Sequence, residues 1–261
     1  CVFLPTWVGD VCMATPTLRA IRNGFPDARI VGIGRPVIRD LLQGTYDAGG
    51  WFNDIIVFSK GGKSPGHSRI DLVRHLRKTR IDVAVLLTNS LWTAGAMKLA
   101  GARRIVGFDR DARGWLLSDR IGVPQSRQPG NQPVSTIDYY LELAAWVGCD
   151  TSDRTMHLPV STTEEPWAEV LWQLVGFTRA TPTVVINNGA ATEPTRIWPH
   201  EKVHQLALKI ADELGWQVLL HCGPKDRDYA NRAAAEANHP RIASMGIVPD
   251  LPIGLSKSVL A

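Results

Sequence analysis

The chain has 261 residues, of which 44% are hydrophobic and 21% charged, and its formal net charge at pH 7 is +4. This composition excludes an intrinsically disordered chain and a multi-span membrane protein, and the length allows one large domain or two smaller ones. The positive charge favours anionic partners, namely phosphates, lipid head groups or nucleic acid, without choosing among them.

Short apolar strands alternate with longer amphipathic helices along the first half of the chain, as is typical of parallel βαβ units. Gly24, Gly101 and Gly148 each follow a helical pattern and predict its end. The first predicted strand ends at Leu4, and the others cover 28–33, 54–58, 81–87 and 104–108. The predicted helices cover 11–23, 36–43, 70–79, 90–100 and 137–147.

The stretch 150–159 is polar and irregular and predicts a domain boundary, after which the alternation restarts. We therefore expect two doubly wound α/β domains, over residues 1–160 and 161–261, with the second incomplete. The chain opens without methionine inside a strand pattern and closes inside a helical one, which predicts a fragment cut at both ends. The later strands are expected over 183–186, 217–221 and near 242, and the later helices over 163–175, 199–214 and 227–238.

Two loops follow strands at the positions where parallel sheets bind ligands, the carboxyl ends of the strands. Gly9-Asp10 follows the first strand; Asp10 either caps the next helix or acts as a general base. Residues 187–199 form a long loop of small residues that contains Arg196 and joins a buried strand to a helix. This loop is either a plain connection or a pyrophosphate site at a helix N-terminus.

Two further patterns involve charged residues or possible metal ligands. Four arginines between Arg103 and Arg113 surround one predicted strand end, as a solvated basic face or as an anion-binding rim. His200-Glu-Lys-Val-His204 fits the HExxH pattern of zinc proteases, but it lies in the first turn of a surface helix and has no recognisable third ligand. The four cysteines form no CxxC pair, which indicates free thiols in a reducing cytosol.

The longest motif, Pro5-Thr-Trp-Val-Gly-Asp10-Val-Cys-Met-Ala-Thr-Pro16, resembles the N-terminus of the ADP-heptose:lipopolysaccharide heptosyltransferases, glycosyltransferase family 9. The likeness is greatest to the heptosyltransferase II branch. Shorter stretches follow in the family's order: Thr88-Asn-Ser90, Gly101-Ala-Arg-Arg-Ile-Val-Gly-Phe108, Gly114-Trp-Leu-Leu117, Arg196-Ile-Trp-Pro199 and Gly223-Pro-Lys-Asp226.

The resemblance implies a GT-B fold, in which two Rossmann-like domains face a cleft. It implies inverting, metal-independent transfer of heptose from ADP-L-glycero-D-manno-heptose to the lipopolysaccharide inner core. Asp10 matches the catalytic aspartate, and Arg196 stands where the family carries a lysine that contacts the donor phosphates. The implied donor-binding residues are Gly189, Thr192, Arg196 and Asp226, and the implied acceptor-side residues are Gly9, Asn89, Ser90, Arg110 and Arg113.

The resemblance also implies the partners and the location. We expect no cofactor, no metal and no nucleic acid. The expected partners are ADP-heptose, an inner-core acceptor of the Kdo-lipid A type, and the inner membrane, touched peripherally from the cytoplasmic side.

The chain departs from the family pattern at three places. Asn188-Gly189 replaces the usual Pro-Gly, Glu193 occupies a normally small position, and the Asp-Ser/Thr-Gly-Pro-x-His donor loop is expected only beyond Ala261. Three alternatives stay open: another nucleotide-sugar donor, a non-catalytic module that binds anionic glycolipid or nucleic acid, and a zinc protease.

Overall fold

The computed structural model describes residues 1–46, 50–59, 68–125, 134–189, 195, 197–248, 251 and 253–260. It divides into two compact units, Cys1–Ser161 and Thr162–Ala261. The domain boundary predicted from the sequence, between residues 160 and 161, lies one residue before this division. Each unit is described by itself below.

The first unit is built on a six-stranded parallel sheet of order β3-β2-β1-β4-β5-β6. In this order the chain starts in the middle of the sheet, adds strands toward one edge, and then returns to add strands toward the other. Val2 of the central strand pairs with Gly32 on one side and Val85 on the other. The strands are β1 (Val2–Phe3), β2 (Val31–Gly34), β3 (Asp54–Val57), β4 (Val83–Leu86), β5 (Arg104–Phe108) and β6 (Asp119–Ile121).

The helices of the first unit lie within three residues of the ranges predicted from the sequence, and the ends of α4 have identifiable causes. Ser90 caps α4 by accepting a hydrogen bond from the Trp92 N–H at 3.2 Å, and Gly101 ends it with a φ of 81°. Such a left-handed residue is the usual end of a helix and favours glycine. The helices are α1 (Val8–Gly24), α2 (Pro36–Leu41), α3 (Arg69–Arg77), α4 (Leu91–Ala100) and α5 (Thr136–Trp146).

Helix α1 contains a proline in its interior, and the side chain of the preceding residue supplies the hydrogen bond that the proline cannot make. Pro16 has no N–H, so it cannot donate to the Cys12 carbonyl as the helical pattern requires. The Thr15 hydroxyl donates to that carbonyl instead, at 2.7 Å. The same hydroxyl accepts a hydrogen bond from the His157 N–H at 3.1 Å. Thr15 therefore completes the helix and also ties it to a distant segment.

That distant segment, residues 150–161, has no regular structure but belongs to the first unit. Arg19 of α1 donates to the Asp153 carboxylate at 2.7 Å and to the Thr155 carbonyl at 2.8 Å. The predicted boundary region is thus packed along α1, and does not behave as a free linker.

The core of the first unit lies between the sheet and its helices. It is formed by apolar side chains that alternate along the strands or lie on the inner faces of α3 and α4. Its largest members include Phe3, Ile33, Leu76, Leu86, Met97 and Ile105, all of them almost fully buried.

The second unit has a three-stranded parallel sheet of order β7-β8-β9. The sequence predicts a buried first strand, which is wrong for this structure, because β7 lies at the edge and Val185 is 40% exposed. Among the described residues, no helix is both long and apolar enough to cross a membrane. The elements are α6 (Glu165–Leu174), β7 (Thr183–Asn187), α7 (His200–Glu213), β8 (Gln217–His221), α8 (Arg227–Ala237), β9 (Ile242–Ser244) and α9 (Ile253–Leu260).

Candidate functional site

A cavity of about 380 Å³ opens where strands β1 to β4 end. The strand order of the first unit reverses between β1 and β4, and in open parallel sheets the ligand site lies beside this reversal, at the carboxyl ends of the strands. The volume is within the range of small-molecule sites. The residues that matter below are Asp10, Arg35, Arg69, Asn89, Ser90 and Tyr140.

A larger cavity, of about 490 Å³, lies at the opposite edge of the same sheet. It is lined by the first residues of the strands, such as Val2 and Val83, and by the last turns of the preceding helices. It lies at the amino ends of the strands, whereas open parallel sheets bind their ligands at the carboxyl ends of the strands. We therefore assign the ligand site to the smaller cavity.

Asp10 lies in the first turn of α1 and is half-buried. The interpretation as a cap is wrong, because the helix begins at Val8 and its N-cap residue is Trp7. Within the described parts of the chain, the Asp10 carboxylate accepts no hydrogen bond and forms no ion pair. Burial raises the pKa of this carboxyl group. A half-buried, unpaired carboxylate in a cavity is suited to accept a proton.

Gly9 leaves the beginning of α1 open. A Cβ placed on it meets no atom of the chain within 4 Å, so internal packing does not require glycine there. The first N–H groups of a helix have no partner within it and attract anions. A glycine at this position therefore keeps the approach to the helix N-terminus free.

The variant Gly9→Ala separates these two effects. Alanine is the better helix former, so we expect the free energy of unfolding to rise by about 0.5–1 kcal/mol. For the sugar transfer that the sequence resemblance implies, we expect a lower kcat/KM, because the methyl group would enter the space in front of the helix N-terminus. Thermal unfolding and steady-state kinetics measure both, and Gly95→Ala in α4 is the control, since its Cβ would meet only Leu116, at 4.0 Å. An unchanged kcat/KM in a stabilised Gly9→Ala protein would remove Gly9 from the site.

Two arginines that sequence reasoning missed line the cavity with Asp10. Arg35 follows β2, and Arg69 is the first residue of α3. The Arg69 guanidinium lies over the Trp92 ring, 4.7 Å from its centroid, and its buried Nε has no hydrogen-bond partner among the described residues. The sequence signal was their position, Arg35 directly after β2 and Arg69 at the beginning of the helix that follows β3.

Tyr140 of α5 also lines the cavity and is buried. The pKa of its phenol is raised, first by burial and then by the negative charge of Asp10. Asp10 and Tyr140 therefore interact electrostatically in one cavity, although 130 positions separate them in the sequence.

The predicted arginine cluster does not form. Arg103 and Arg104 lie at the beginning of β5, where they pair with Asp82 and Asp119 at 2.9 Å each. Arg110 and Arg113 follow the other end of the strand. Because the strand separates the two pairs, the idea of four arginines around one strand end is wrong.

Arg110 and Arg113 differ in their surroundings. The Arg110 side chain is exposed, with Asp111 at 3.7 Å. Arg113 is 0% exposed, and its guanidinium donates to acceptors within the domain. Of the two predicted acceptor-side arginines, only Arg110 is at a surface.

The predicted residues Asn89 and Ser90 lie in the wall of the cavity, directly after β4. Ser90 is exposed and uses its hydroxyl to cap α4. The Asn89 amide contacts the Tyr139 hydroxyl, with Nδ2 at 2.8 Å from it. The structure thus places Asp10, Asn89 and Ser90 around one cavity.

In the second unit the structure brings together Gly189 and Asp226, which follow β7 and β8. A Cβ on Gly189 would lie 2.6 Å from the Asp226 Oδ2, so a larger residue at position 189 would require the Asp226 side chain to move. The loop that begins here is closed at its base by Asn188, whose side chain donates to the Trp198 carbonyl and accepts from the Trp198 N–H, both at 2.9 Å. Thr192 and Arg196 lie outside the described residues.

The HExxH residues lie on the first turns of α7. His200 faces Glu201 at 3.3 Å and Glu236 at 3.4 Å, while the buried Nδ1 of His204 has no hydrogen-bond partner in the described parts of the chain. Among the residues that the structure describes, no three His, Cys, Asp or Glu side chains are grouped to hold a metal ion.

Comparison with known proteins identifies the family of this chain. The model of glycosyltransferase family 9 (heptosyltransferase) matches residues 69–260, which is more than half of the chain. Lipopolysaccharide heptosyltransferase 2 of Escherichia coli (strain K12) is 27% identical over 242 residues, which cover 90% of this chain and 66% of that protein. The chain thus spans slightly less than two thirds of this relative's length.

Solved structures share the fold. The E. coli ADP-heptose lps heptosyltransferase II superposes with a TM-score of 0.75 at 23% identity, covering 99% of this chain and 75% of that one. A family 9 glycosyl transferase from Veillonella parvula DSM 2008 superposes with a TM-score of 0.81 at 19% identity, covering 99% and 71%. These likenesses confirm the predicted α/β fold of the GT-B class.

Proposed function

This chain belongs to glycosyltransferase family 9, the heptosyltransferases, and on that premise we propose that it serves an inverting transfer of heptose from ADP-L-glycero-D-manno-heptose to the inner core of lipopolysaccharide. The observation that carries the proposal is the Asp10 carboxylate, unpaired and half-buried in a cavity where the strand order reverses. The same residue matches the family's catalytic aspartate in the sequence resemblance.

In the proposed reaction Asp10 is the general base. A sugar hydroxyl is a weak nucleophile, so a carboxylate within hydrogen-bond reach takes its proton as the oxygen attacks the anomeric carbon. The new C–O bond forms as the bond to the ADP oxygen breaks on the opposite face, which inverts the anomeric configuration. The proton goes to Asp10, and the electron pair of the broken bond goes to the diphosphate.

The departing diphosphate needs positive charge or N–H donors. We assign this role to Arg196 and to the backbone of the loop that Asn188 closes at its base, with Thr192 as a further donor. Arginine in place of the family's lysine offers a fork of donors instead of a point charge. Asp226, held beside Gly189, is proposed to accept hydrogen bonds from the ribose hydroxyls.

The acceptor is proposed to bind on the arginine side of the Asp10 cavity. An inner-core acceptor of the Kdo-lipid A type carries carboxylates and phosphates, which match a guanidinium in geometry and charge. Arg69 has a buried Nε without a partner, and Arg35 lines the same space. Asn89 and Ser90 add neutral polar groups suited to sugar hydroxyls, and exposed Arg110 is a further candidate contact.

The proposed acceptor is anchored in a lipid layer, so we place the reaction at the cytoplasmic face of the inner membrane. The formal charge of +4 supports peripheral contact with an anionic lipid surface.

A transfer assay with the full-length protein tests the proposal. It offers ADP-heptose, ADP-glucose, UDP-glucose and GDP-mannose to an inner-core acceptor that lacks its outer heptose, and mass spectrometry detects the product. We expect a mass gain of one heptose from ADP-heptose alone. Transfer from another donor would support a different member of the family, and binding of the acceptor without transfer from any donor would support a non-catalytic module.

A further inference from the structure

Arg113 is the largest fully buried side chain of the chain's described part, and it is a cation. Its Nε donates to the Phe108 carbonyl at 3.1 Å, its Nη1 to the Thr88 carbonyl, and its Nη2 to the Asn89 Oδ1 at 3.1 Å. One acceptor thus belongs to the end of β5, and two belong to the segment that follows β4.

The contact with Arg113 also sets the orientation of the Asn89 amide. A guanidinium has only donors, so the carbonyl oxygen of Asn89 must face it. The Nδ2 of Asn89 then lies 2.8 Å from the Tyr139 hydroxyl and donates to it. The Tyr139 ring packs on Phe108, with 4.2 Å between the ring centroids. Arg113, Asn89 and Tyr139 therefore form one connected network under the cavity wall.

A buried cation is a poor means of stabilising a fold. Among the described residues no carboxylate lies within ion-pair distance of Arg113, and the groups that accept hydrogen bonds from its guanidinium are neutral. Burial lowers the pKa of Arg113 while the charges of Tyr139, Asp111 and Asp109 raise it, and arginine stays protonated in proteins. Well-packed apolar side chains often replace buried charges without loss of stability. Stability alone therefore does not explain an arginine here.

The strand beside Arg113 leaves room for it. A Cβ on Gly107 would lie 3.1 Å from the Arg113 Nη2, so a larger residue at position 107 would press on the guanidinium. The space for the side chain is thus part of β5.

We propose that Arg113 is a positioning residue, which holds Thr88 and Asn89 in the wall of the cavity that also contains Asp10. This inference rests on the proposed function for its effect on catalysis. Arg113 itself touches no ligand; it acts by fixing the polar groups of residues 88–90 that do. This assigns to Arg113 a role different from the direct acceptor contact that the sequence predicts.

The test compares Arg113→Met and Arg113→Lys with the wild type, in the full-length protein. We expect Arg113→Met to lower kcat by roughly 10–100-fold, as a misplaced group near the reacting atoms does, and to leave the KM for ADP-heptose within about twofold. Lysine keeps the charge but cannot reach all three acceptors, so it should restore part of the loss. Amide hydrogen exchange of residues 88–93 should become faster in Arg113→Met, because the segment loses its anchor.

Arg104→Met is the matched control. It removes an arginine from the beginning of β5, together with a bidentate contact to Asp119, at the opposite end of the strand from Arg113 and the cavity. It should leave kcat and the exchange of residues 88–93 unchanged. If Arg113→Met does not fold, Tyr139→Phe removes only the hydroxyl of the network and should give the same changes to a smaller extent.

The inference is overturned if folded Arg113→Met keeps the kcat and the exchange pattern of the wild type, even when its unfolding temperature is lower. Failure of the proposed function looks different: the wild type then transfers no sugar from any donor. In that case the exchange of residues 88–93 still decides whether Arg113 positions them.

Discussion

Replacing Asp10 with asparagine should lower kcat for heptose transfer by about 10²–10⁴-fold, the range that a general base contributes. Asparagine has the same shape but cannot take the proton of the acceptor hydroxyl. The KM for ADP-heptose should change little, because the proposed donor contacts are in the second unit. Steady-state kinetics with the full-length protein and an inner-core acceptor measures both parameters.

The matched control is Asp27→Asn, which removes an exposed carboxylate just beyond the other end of α1. It should retain wild-type kcat. A similar kcat in Asp10→Asn and Asp27→Asn would show that Asp10 is not the base.

The dependence of the wild-type rate on pH supplies a second measurement for Asp10. Only the ionised carboxylate is a base, and burial raises its pKa above the ordinary 3.8. The rate should therefore fall on acidification at a higher pH than for an exposed aspartate. The residual rate of Asp10→Asn should not show this acidic decrease.

The raised pKa of Asp10 also affects stability. Because the pKa is higher in the folded than in the unfolded protein, ionisation of Asp10 opposes folding as the pH rises from the unfolded-state pKa through the folded-state pKa. Asp10→Asn should thus be at least as stable as the wild type at neutral pH, so a lower rate would not be due to unfolding.

Arg69→Met should raise the KM for the acceptor by roughly 10–100-fold. A hydrogen bond to a charged group contributes about 1.5–3 kcal/mol, and 1.4 kcal/mol corresponds to a factor of ten in affinity. The guanidinium lies over the Trp92 ring with its Nε buried and unpartnered, so an anionic group of the acceptor would supply the missing partner. Kinetics at varied acceptor concentration and saturating ADP-heptose measures the change.

Two variants of the same helix sharpen this test. Arg74→Met removes an arginine of α3 whose side chain is 75% exposed and outside the cavity, and should leave the acceptor KM unchanged. Arg69→Lys keeps the positive charge but loses the planar fork, so a KM between those of the wild type and Arg69→Met indicates bidentate recognition. Equal effects of Arg69→Met and Arg74→Met would reduce the role of Arg69 to general electrostatic attraction.

The sequence was sufficient for the architecture because strand and helix patterns are local. Alternating short strands and helices predict parallel βαβ units, and Ser90 and Gly101 mark the ends of α4. Strand β6 was missed because it is only three residues long and includes the exposed Arg120. Its pairing with β5 and the ion pair of Asp119 with Arg104 are contacts that no local pattern reveals.

Sequence reasoning predicts a site residue where a reactive side chain lies within a recognisable motif, as Asp10 does beside Gly9. Arg35 and Arg69 come to Asp10 because β1, β2 and β3 are successive neighbours in the sheet, which depends on the strand order. Arg113 was predicted as an exposed contact, since nothing in the sequence distinguishes a buried guanidinium from a solvated one. Burial and hydrogen-bond partners are properties of the folded chain, and here they reverse the interpretation.

The Thr15 hydroxyl supplies the hydrogen bond that Pro16 cannot donate, and this dependence limits which substitutions α1 tolerates during evolution. While proline stays at position 16, a change of Thr15 to valine leaves the Cys12 carbonyl without a donor, and also frees the segment that contains His157. Once an ordinary residue replaces the proline, its N–H takes over the first task, but the second still needs an acceptor at position 15. A change of Thr15 should therefore cost less stability after the proline has been lost than before, because only the contact with His157 is then at stake.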